Sequence, residues 1–265
     1  MVENIHSVKC DTAADGFEIL VFDELQSTNA FLHDKISAGT DIDGVVVVAR
    51  HQTAGKGMGD NRWESMAGEN LLFSIALNVS FLKAEEQFRI SQAVAIAILD
   101  VISNKLLNTS NSLVSSIKWP NDIYVGQKKL AGMLIQNTLS GMMMQTSIIG
   151  IGLNVNQMEF SDDLPNPVSL KMLTGVDFDL DMLLNELIVN IKDSVKKLQT
   201  EQGKEDIDVI YRRHLFRCGE WADYEIGGEF KTLKINGYDK YGRLCLCDKN
   251  GRDYLCDIKE IRFIV

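Results

Sequence analysis

Residues 118–136 read KWPNDIYVGQKKLAGMLIQ. The stretch has the outline of a hairpin, with Gly126-Gln127 as a two-residue turn between two apolar runs. Its composition is wrong for a plain one. Pro120 cannot donate to a ladder, and Gly132 interrupts the second strand. With a two-residue turn Tyr124 faces Lys129. The side-chain period of two then puts Lys118, Pro120, Asp122 and Tyr124 on one face with Lys129 and Ala131. Two ammonium groups and a carboxylate on one face could hold phosphate oxygens and a metal ion, or form a solvated edge with a salt bridge. A three-residue turn would flip the second strand and remove Lys129 from the set.

Upstream, residues 17–26 (FEILVFDELQ) read as a strand. Residues 27–39 (STNAFLHDKISAG) read as a helix with Ser27 or Thr28 at its N-cap and Gly39 beyond its end. GVVVVARHQ (44–52) and NLLFSIALNV (70–79) are strands, with a glycine loop between them. Phe88, Ala95, Leu99 and Ile102 fall at helical spacing within 85–106. Downstream come a strand at 145–156, an amphipathic helix at 179–199 and a helical segment at 205–216. After Phe216 short strand-like runs alternate with the turns IGGE, NGYDKYGR and DKNGRD, which predicts a small all-β barrel. The expected organisation is an α+β domain at 1–217, a mixed sheet covered by helices, and a barrel domain at 218–265.

The chain of 265 residues is 45% hydrophobic, enough for a large core. Its net charge of −10 argues against nucleic-acid binding by bulk electrostatics. Five cysteines and four histidines include no CxxC pair, so reduced thiols are expected rather than a structural zinc site. The opening residues lack the apolar core of a signal peptide, and the longest aliphatic run, 45–49, is far short of a membrane span. A soluble cytoplasmic protein is expected.

Other stretches also carry chemistry. In SIIGIGLNVN, Ile149, Ile151, Leu153 and Val155 point one way, and Gly150, Gly152, Asn154 and Asn156 the other. A bare glycine face admits either a flat ligand, with Asn154 toward a base edge or phosphate, or a close helix–strand contact plus an asparagine turn. GIGLN is no dinucleotide fingerprint, because its third glycine is missing. In HQTAGKGMGDNRW, glycines alternate with Lys56 and Met58, so successive N–H groups could form an anion nest or a surface turn. Gln52 and Trp63 flank that loop. Ser27, Thr28 and Asn29 either cap a helix or accept a carbonyl or anion.

Taken in order, STN (27–29), QTAGKGMGDNRW (52–63), KWPNDI (118–123), KLAGMLIQ (129–136) and GIGLNVN (150–156) resemble the biotin protein ligase family. These are the biotin–[acetyl-CoA-carboxylase] ligases, and the resemblance runs from Phe17 to the C-terminus. It implies a mixed sheet with helices, related to class II aminoacyl-tRNA synthetases, and an SH3-like C-terminal barrel. It also implies that biotin and ATP, with Mg2+, are joined as biotinyl-5′-adenylate. The biotinyl group then passes to one lysine of a biotin carboxyl carrier protein or domain. Carried over by motif, Ser27, Thr28, Asn29 and Gln52 line the biotin ring pocket. The loop at 55–61, with Gly55, Lys56, Gly57 and Met58, folds over biotin and the adenylate phosphate, and Trp63 packs by the adenine. Lys118, Asn121 and Asp122 sit near the triphosphate, with Asp122 a metal contact or base. Lys129 and Gly132 meet the biotin carboxylate, and Asn154 contacts the nucleotide. Lys56, Lys118, Lys129 and Asp122 form the catalytic set.

The sequence departs from the family in two places. The family loop often carries three or four arginines, in a GRGRRGR pattern. Here GKGMGDN keeps Lys56 but places Met58, Gly59 and Asp60 where glycine and basic residues are common. A leakier hold on the adenylate is expected. Only 26 residues precede Ser27, too few for the winged helix-turn-helix of some members, so a ligase without a DNA-binding role is expected. A homodimer is left open. The rivals are a lipoate or octanoate ligase on the same core fold, and a biotin sensor without turnover.

Overall fold

The computed structural model describes residues 9–12, 16–59, 61–107 and 113–264. Asp60, and most of the opening stretch read for a leader, lie outside the described residues.

Runs of β-branched and aliphatic residues build one mixed eight-stranded sheet. β2 (Glu18–Leu25) and β3 (Val45–Gln52) pair in parallel, from Glu18 opposite Val45 to Leu25 opposite Gln52. A parallel pair needs a crossover, and α1 (Thr28–Ser37) forms part of it. All other neighbours are antiparallel. β1 (Lys9–Thr12) flanks β2. Beyond β3 lie β4 (Leu71–Asn78), β8 (Met143–Leu153), β7 (Lys128–Ser140), β6 (Asp122–Val125) and β5 (Ser115–Lys118), in that order.

The helix α1 packs on one face through Leu32 against Phe22, Val47, Ala76 and Ile148. The other face is covered by α2 (Phe88–Leu106) and α4 (Leu180–Lys197), with α5 (Glu201–Arg213) against α2. Ser194 Oγ donates to Ala93 O at 2.8 Å and fastens α4 to α2. A short helix, α3 (Leu170–Thr174), lies in a stretch the sequence pattern leaves unassigned. Among the described residues no helix is long and apolar enough to cross a membrane.

The stretch at 118–136 is three strands, not a hairpin. β5 ends at Lys118, the chain turns through Trp119 and Pro120, and Lys118 lies opposite Asp122 on β6. Pro120 therefore sits outside the ladder, which removes the objection to it. The β6–β7 turn is the two-residue one, with Val125 opposite Lys128 and Tyr124 opposite Lys129. A bulge then inserts Leu130, so Ile123 pairs with Ala131 and Asp122 with Gly132. The bulge corrects the period-of-two assignment. Gly132, not Ala131, shares the face of Lys129, and Ala131 is buried in the core.

A second, antiparallel sheet follows, made of β9 (Trp221–Ile226), β10 (Glu229–Tyr238), β11 (Leu244–Cys247), β12 (Asp253–Cys256) and β13 (Ile261–Phe263). Its ladder order is β12-β11-β10-β9-β13, open between β12 and β13. Tyr224, Leu233, Ile235, Tyr238, Leu244 and Leu246 belong to the same apolar cluster as α2 and the large sheet. Trp119 Nε1 donates to Gly242 O at 2.7 Å. At Gly242 (φ +86) a Cβ would lie 2.3 Å from Phe88 Cγ, so only glycine permits this contact. Each buried apolar side chain contributes roughly 1.5–3 kcal/mol, against a usual total stability of about 5–15 kcal/mol. A chain ending at Arg217 is therefore expected to lose its cooperative thermal transition, as followed by circular dichroism. A truncated chain melting like the full one would show that the shared core adds nothing.

Candidate active site

The site grows from the glycines of β7 and β8. Gly132 and Gly152 are direct partners, and Gly150 lies two residues further along β8, opposite Leu134. A Cβ on Gly152 would lie 2.3 Å from Trp63 Cε2, and one on Gly132 would lie 3.0 Å from Trp63 Cζ3. One on Gly150 would lie 2.2 Å from Asn29 Oδ1. The bare face is thus a floor on which an indole and an amide rest. Of the alternatives left by the sequence, the close helix–strand contact is present, made by Asn29, and the Trp63 indole covers Gly152 and Gly132.

Trp63 is held from its own loop. Its N–H donates to Gly55 O at 3.1 Å, and Gly57 N donates to Asn61 O at 2.8 Å. A Cβ on Gly55 would come within 2.6 Å of Trp63 O, and one on Gly57 within 3.1 Å of Asn61 Cβ. The loop can fold back on itself only with glycine at Gly55. Trp63 Nε1 is buried and has no hydrogen-bond partner among the described residues. Lys56 and Arg62 bridge across the loop.

Beside Gly150 lies a polar cluster. Thr28 N donates to Gln52 Oε1 at 2.8 Å. Ser74 Oγ lies 2.6 Å from Thr28 Oγ1 and 2.5 Å from Asn29 Oδ1. Asn29 Nδ2 reaches Leu134 O at 3.1 Å and Gln136 Oε1 at 3.2 Å. Ser27 caps α1 by accepting from Ala30 N. The structure so unites Ser27, Thr28, Asn29 and Gln52. It adds Ser74 and Gln136, which sequence reasoning missed. Ser74 left a signal, a lone hydroxyl inside the apolar run LLFSIAL; Gln136 left none. The network satisfies buried polar groups and offers donors and acceptors to a polar ring.

The charged cluster lies at the Gly132 end. Lys129 Nζ pairs with Asp122 Oδ1 at 2.7 Å and stands 5.6 Å from the centre of the Trp63 ring. Lys118 Nζ donates to Tyr124 OH at 3.0 Å and lies over the Phe263 ring at 5.1 Å. Burial pulls the Lys118 ammonium below the ordinary lysine value; Asp122 opposes this, while Lys129 and Arg217 add to it. Burial, then Asp122, pushes the Tyr124 hydroxyl up, so it stays neutral. Sequence motifs far apart thereby meet: Lys118, Asp122, Lys129, Gly132 and Trp63 form one group.

Other expected residues serve the frame in this structure. The Asn121 amide donates to Met133 O, and Met133 N returns a bond to Asn121 O at 2.9 Å. The buried Asn154 donates to Val168 O at 3.1 Å. Asn156 exchanges bonds with the Phe178 backbone at 2.9 Å each. Lys56 is exposed and Met58 half-buried on the loop. Among the described residues, no group of three or more His, Cys, Asp or Glu is placed to hold a metal ion.

Residues 21–154 match the model of the Biotin/lipoate A/B protein ligase family. The biotin–[acetyl-CoA-carboxylase] ligase of Mycobacterium tuberculosis is 30% identical over 83% of this chain and 79% of its own length. The bifunctional ligase/repressor BirA of Escherichia coli is 26% identical over 71% of this chain and 56% of its own. Among solved structures, the biotin protein ligase of Aquifex aeolicus in complex with biotin and ATP superposes with a TM-score of 0.74. It is 25% identical and covers 93% of this chain and 99% of that one.

Proposed function

Because this chain belongs to the Biotin/lipoate A/B protein ligase family, we propose that it activates biotin with ATP as biotinyl-5′-AMP. It then transfers the biotinyl group to one lysine of the biotin carboxyl carrier domain of a biotin-dependent carboxylase. The observation that carries this reading is the joining of two half-sites on one sheet face. A closed polar cluster lies at Gly150, and two lysines gather near Gly132.

A carboxylate is a poor acyl donor, so it must first be made an anhydride. A biotin carboxylate oxygen attacks the α-phosphorus of ATP, and the bond to pyrophosphate breaks. Both reactants are anions. Lys129, already facing a carboxylate in Asp122, binds the biotin carboxylate; Lys118 and Lys56 face the phosphates. Their fixed charges offset the repulsion and stabilise the charge that builds in the transition state. The ring of biotin lies toward Ser27, Thr28, Asn29 and Gln52, and Trp63 packs between the floor and the adenine. Binding both reactants on one rigid sheet removes much of the orientational cost. In the second half-reaction the carrier amine attacks the acyl carbon and AMP leaves; Asp122 is assigned as the base that takes the ammonium proton. Magnesium bound to nucleotide phosphates takes few protein ligands, and one half-buried carboxylate at Asp122 fits that need. When bound, it neutralises phosphate charge.

The frame around this site is read in the same way. Residues 1–217 are taken as the catalytic domain and 218–265 as an SH3-like barrel, the latter on the strength of a five-stranded antiparallel sheet with an open ladder. The net charge of −10 disfavours DNA as a partner, and the free thiols of Cys218, Cys245, Cys247 and Cys256 suit the cytosol.

Protein, biotin, Mg-ATP and a carrier domain, analysed by intact mass, should show the carrier gaining one biotinyl group, and none with lipoate. No gain with biotin would refute the reading. The lowered ammonium of Lys118 also sets a pH dependence. Its charge is lost as pH rises through a value below that of free lysine, so kcat/KM for ATP should fall on that alkaline limb. Lys118→Arg, which does not titrate there, should move the limb upward. An unmoved limb would assign it to another group.

A further inference from the structure

We propose that Lys259, in the turn before the last strand, supplies from the second sheet a positive charge that the glycine loop lacks. It thereby holds the adenylate in the site between formation and use. The inference rests on the function proposed above and concerns its intermediate.

The loop at 55–61 contains a single basic residue, Lys56. Its tip, Gly59, is left-handed at φ +70, and a Cβ there would lie 2.8 Å from Lys259 Cε and 2.9 Å from Lys259 Nζ. The ammonium of a residue two hundred positions away therefore rests on the loop tip. Lys259 is not there by chance of a long flexible side chain alone. Its backbone is itself left-handed at φ 77, uncommon for a residue with a Cβ. A tight turn fixes it: Asp257 N donates to Glu260 Oε2 at 2.7 Å, and Glu260 N donates to Asp257 O at 3.1 Å. The strand that follows places Phe263 under Lys118 at 5.1 Å. The segment from Lys259 to Phe263 thus touches both the loop and one of the two lysines near Gly132. Although Asp257 and Glu260 flank it, Lys259 takes part in none of the ion pairs found among the described residues. Among the described residues, then, its charge is uncommitted.

The adenylate carries one negative phosphate, and Lys259 stands at the tip of the loop that lies over it in the reading above. An exposed cation acts over roughly 8 Å at physiological salt. Contact with the loop tip gives Lys259 that reach once the loop lies on the phosphate.

The test forms the adenylate from biotin and Mg-ATP on full-length wild-type, Lys259→Met and Lys259→Arg proteins. Free nucleotide is removed and release of the adenylate is timed. Methionine keeps the apolar length and the Cβ, so the backbone is no more strained than before. The Lys259→Met protein should release the adenylate about tenfold faster at low salt. The gap should shrink in about 1 M salt, where charges are screened within about 3 Å. The arginine variant should release at close to the wild-type rate. Wild-type retention by Lys259→Met would overturn the proposal. So would faster release that neither arginine restores nor salt diminishes, since packing would then be the cause. If the wild-type protein forms no adenylate, the functional reading falls and this proposal with it. Adenylate formed and then held equally by both proteins sinks the proposal alone.

Discussion

Lys129→Ala lowers the rate of adenylate formation by about 10²- to 10³-fold and leaves the protein folded. The kinetic loss follows from where the ammonium stands. Lys129 is anchored on β7 at the bulge, beside Gly132, with its Nζ 2.7 Å from a carboxylate oxygen and 5.6 Å from the Trp63 ring centre. It can receive the biotin carboxylate without rearrangement of the backbone. Removing a preorganised charge from a reacting oxygen costs about 2.7–4 kcal/mol of transition-state stabilisation. The folding loss is small, because side chains exposed by 30% and 18% keep the Lys129–Asp122 pair in partial contact with water. Such pairs contribute about 0–1 kcal/mol. The check is single-turnover formation of biotinyl-AMP, with a thermal melt beside it. Turnover within a few-fold of wild type would remove Lys129 from the mechanism.

Gly152→Ala should raise the KM for ATP by about two orders of magnitude and lower stability by about 1–3 kcal/mol. Both effects have one cause. The added methyl would lie 2.3 Å from Trp63 Cε2 and 2.7 Å from two further indole atoms, so the ring must leave the floor. The adenine that packs on the outer side of the indole then loses its support. The two effects separate in the double variant with Trp63→Ala. Most of the stability cost should be recovered there, as a coupling between contacting residues, while ATP binding stays weak. Additive stability losses would mean that the indole does not rest on Gly152.

Much of this site can be read from the sequence because its parts are local. Lys118 to Gly132 is a single short stretch, and the two-residue turn at Gly126-Gln127 sets Tyr124 against Lys129. The glycines of β8 announce a close approach. What the sequence hides is long-range or parity-dependent. The bulge at Leu130 exchanges the faces of Ala131 and Gly132, and no local pattern marks it. The bond from Asn29 to Gln136 spans 107 positions. The contact between Gly59 and Lys259 depends on how a second sheet docks on the first. KWPND reads as half of a hairpin because a strand of four residues, β5, is too short to show a period. The turn texture after Phe216 predicts strands correctly, but open or closed ladders share that texture.

The central claim is that ammonium groups brought together from separate strands allow two anions to react. The most direct measurement is pyrophosphate release from Mg-ATP by the purified protein, with no carrier present. With biotin, a burst of about one equivalent per protein molecule should appear as bound adenylate forms, followed by slower release as it escapes. Without biotin there should be none. Release that is indifferent to biotin, or no release with biotin and Mg-ATP both saturating, would contradict the account.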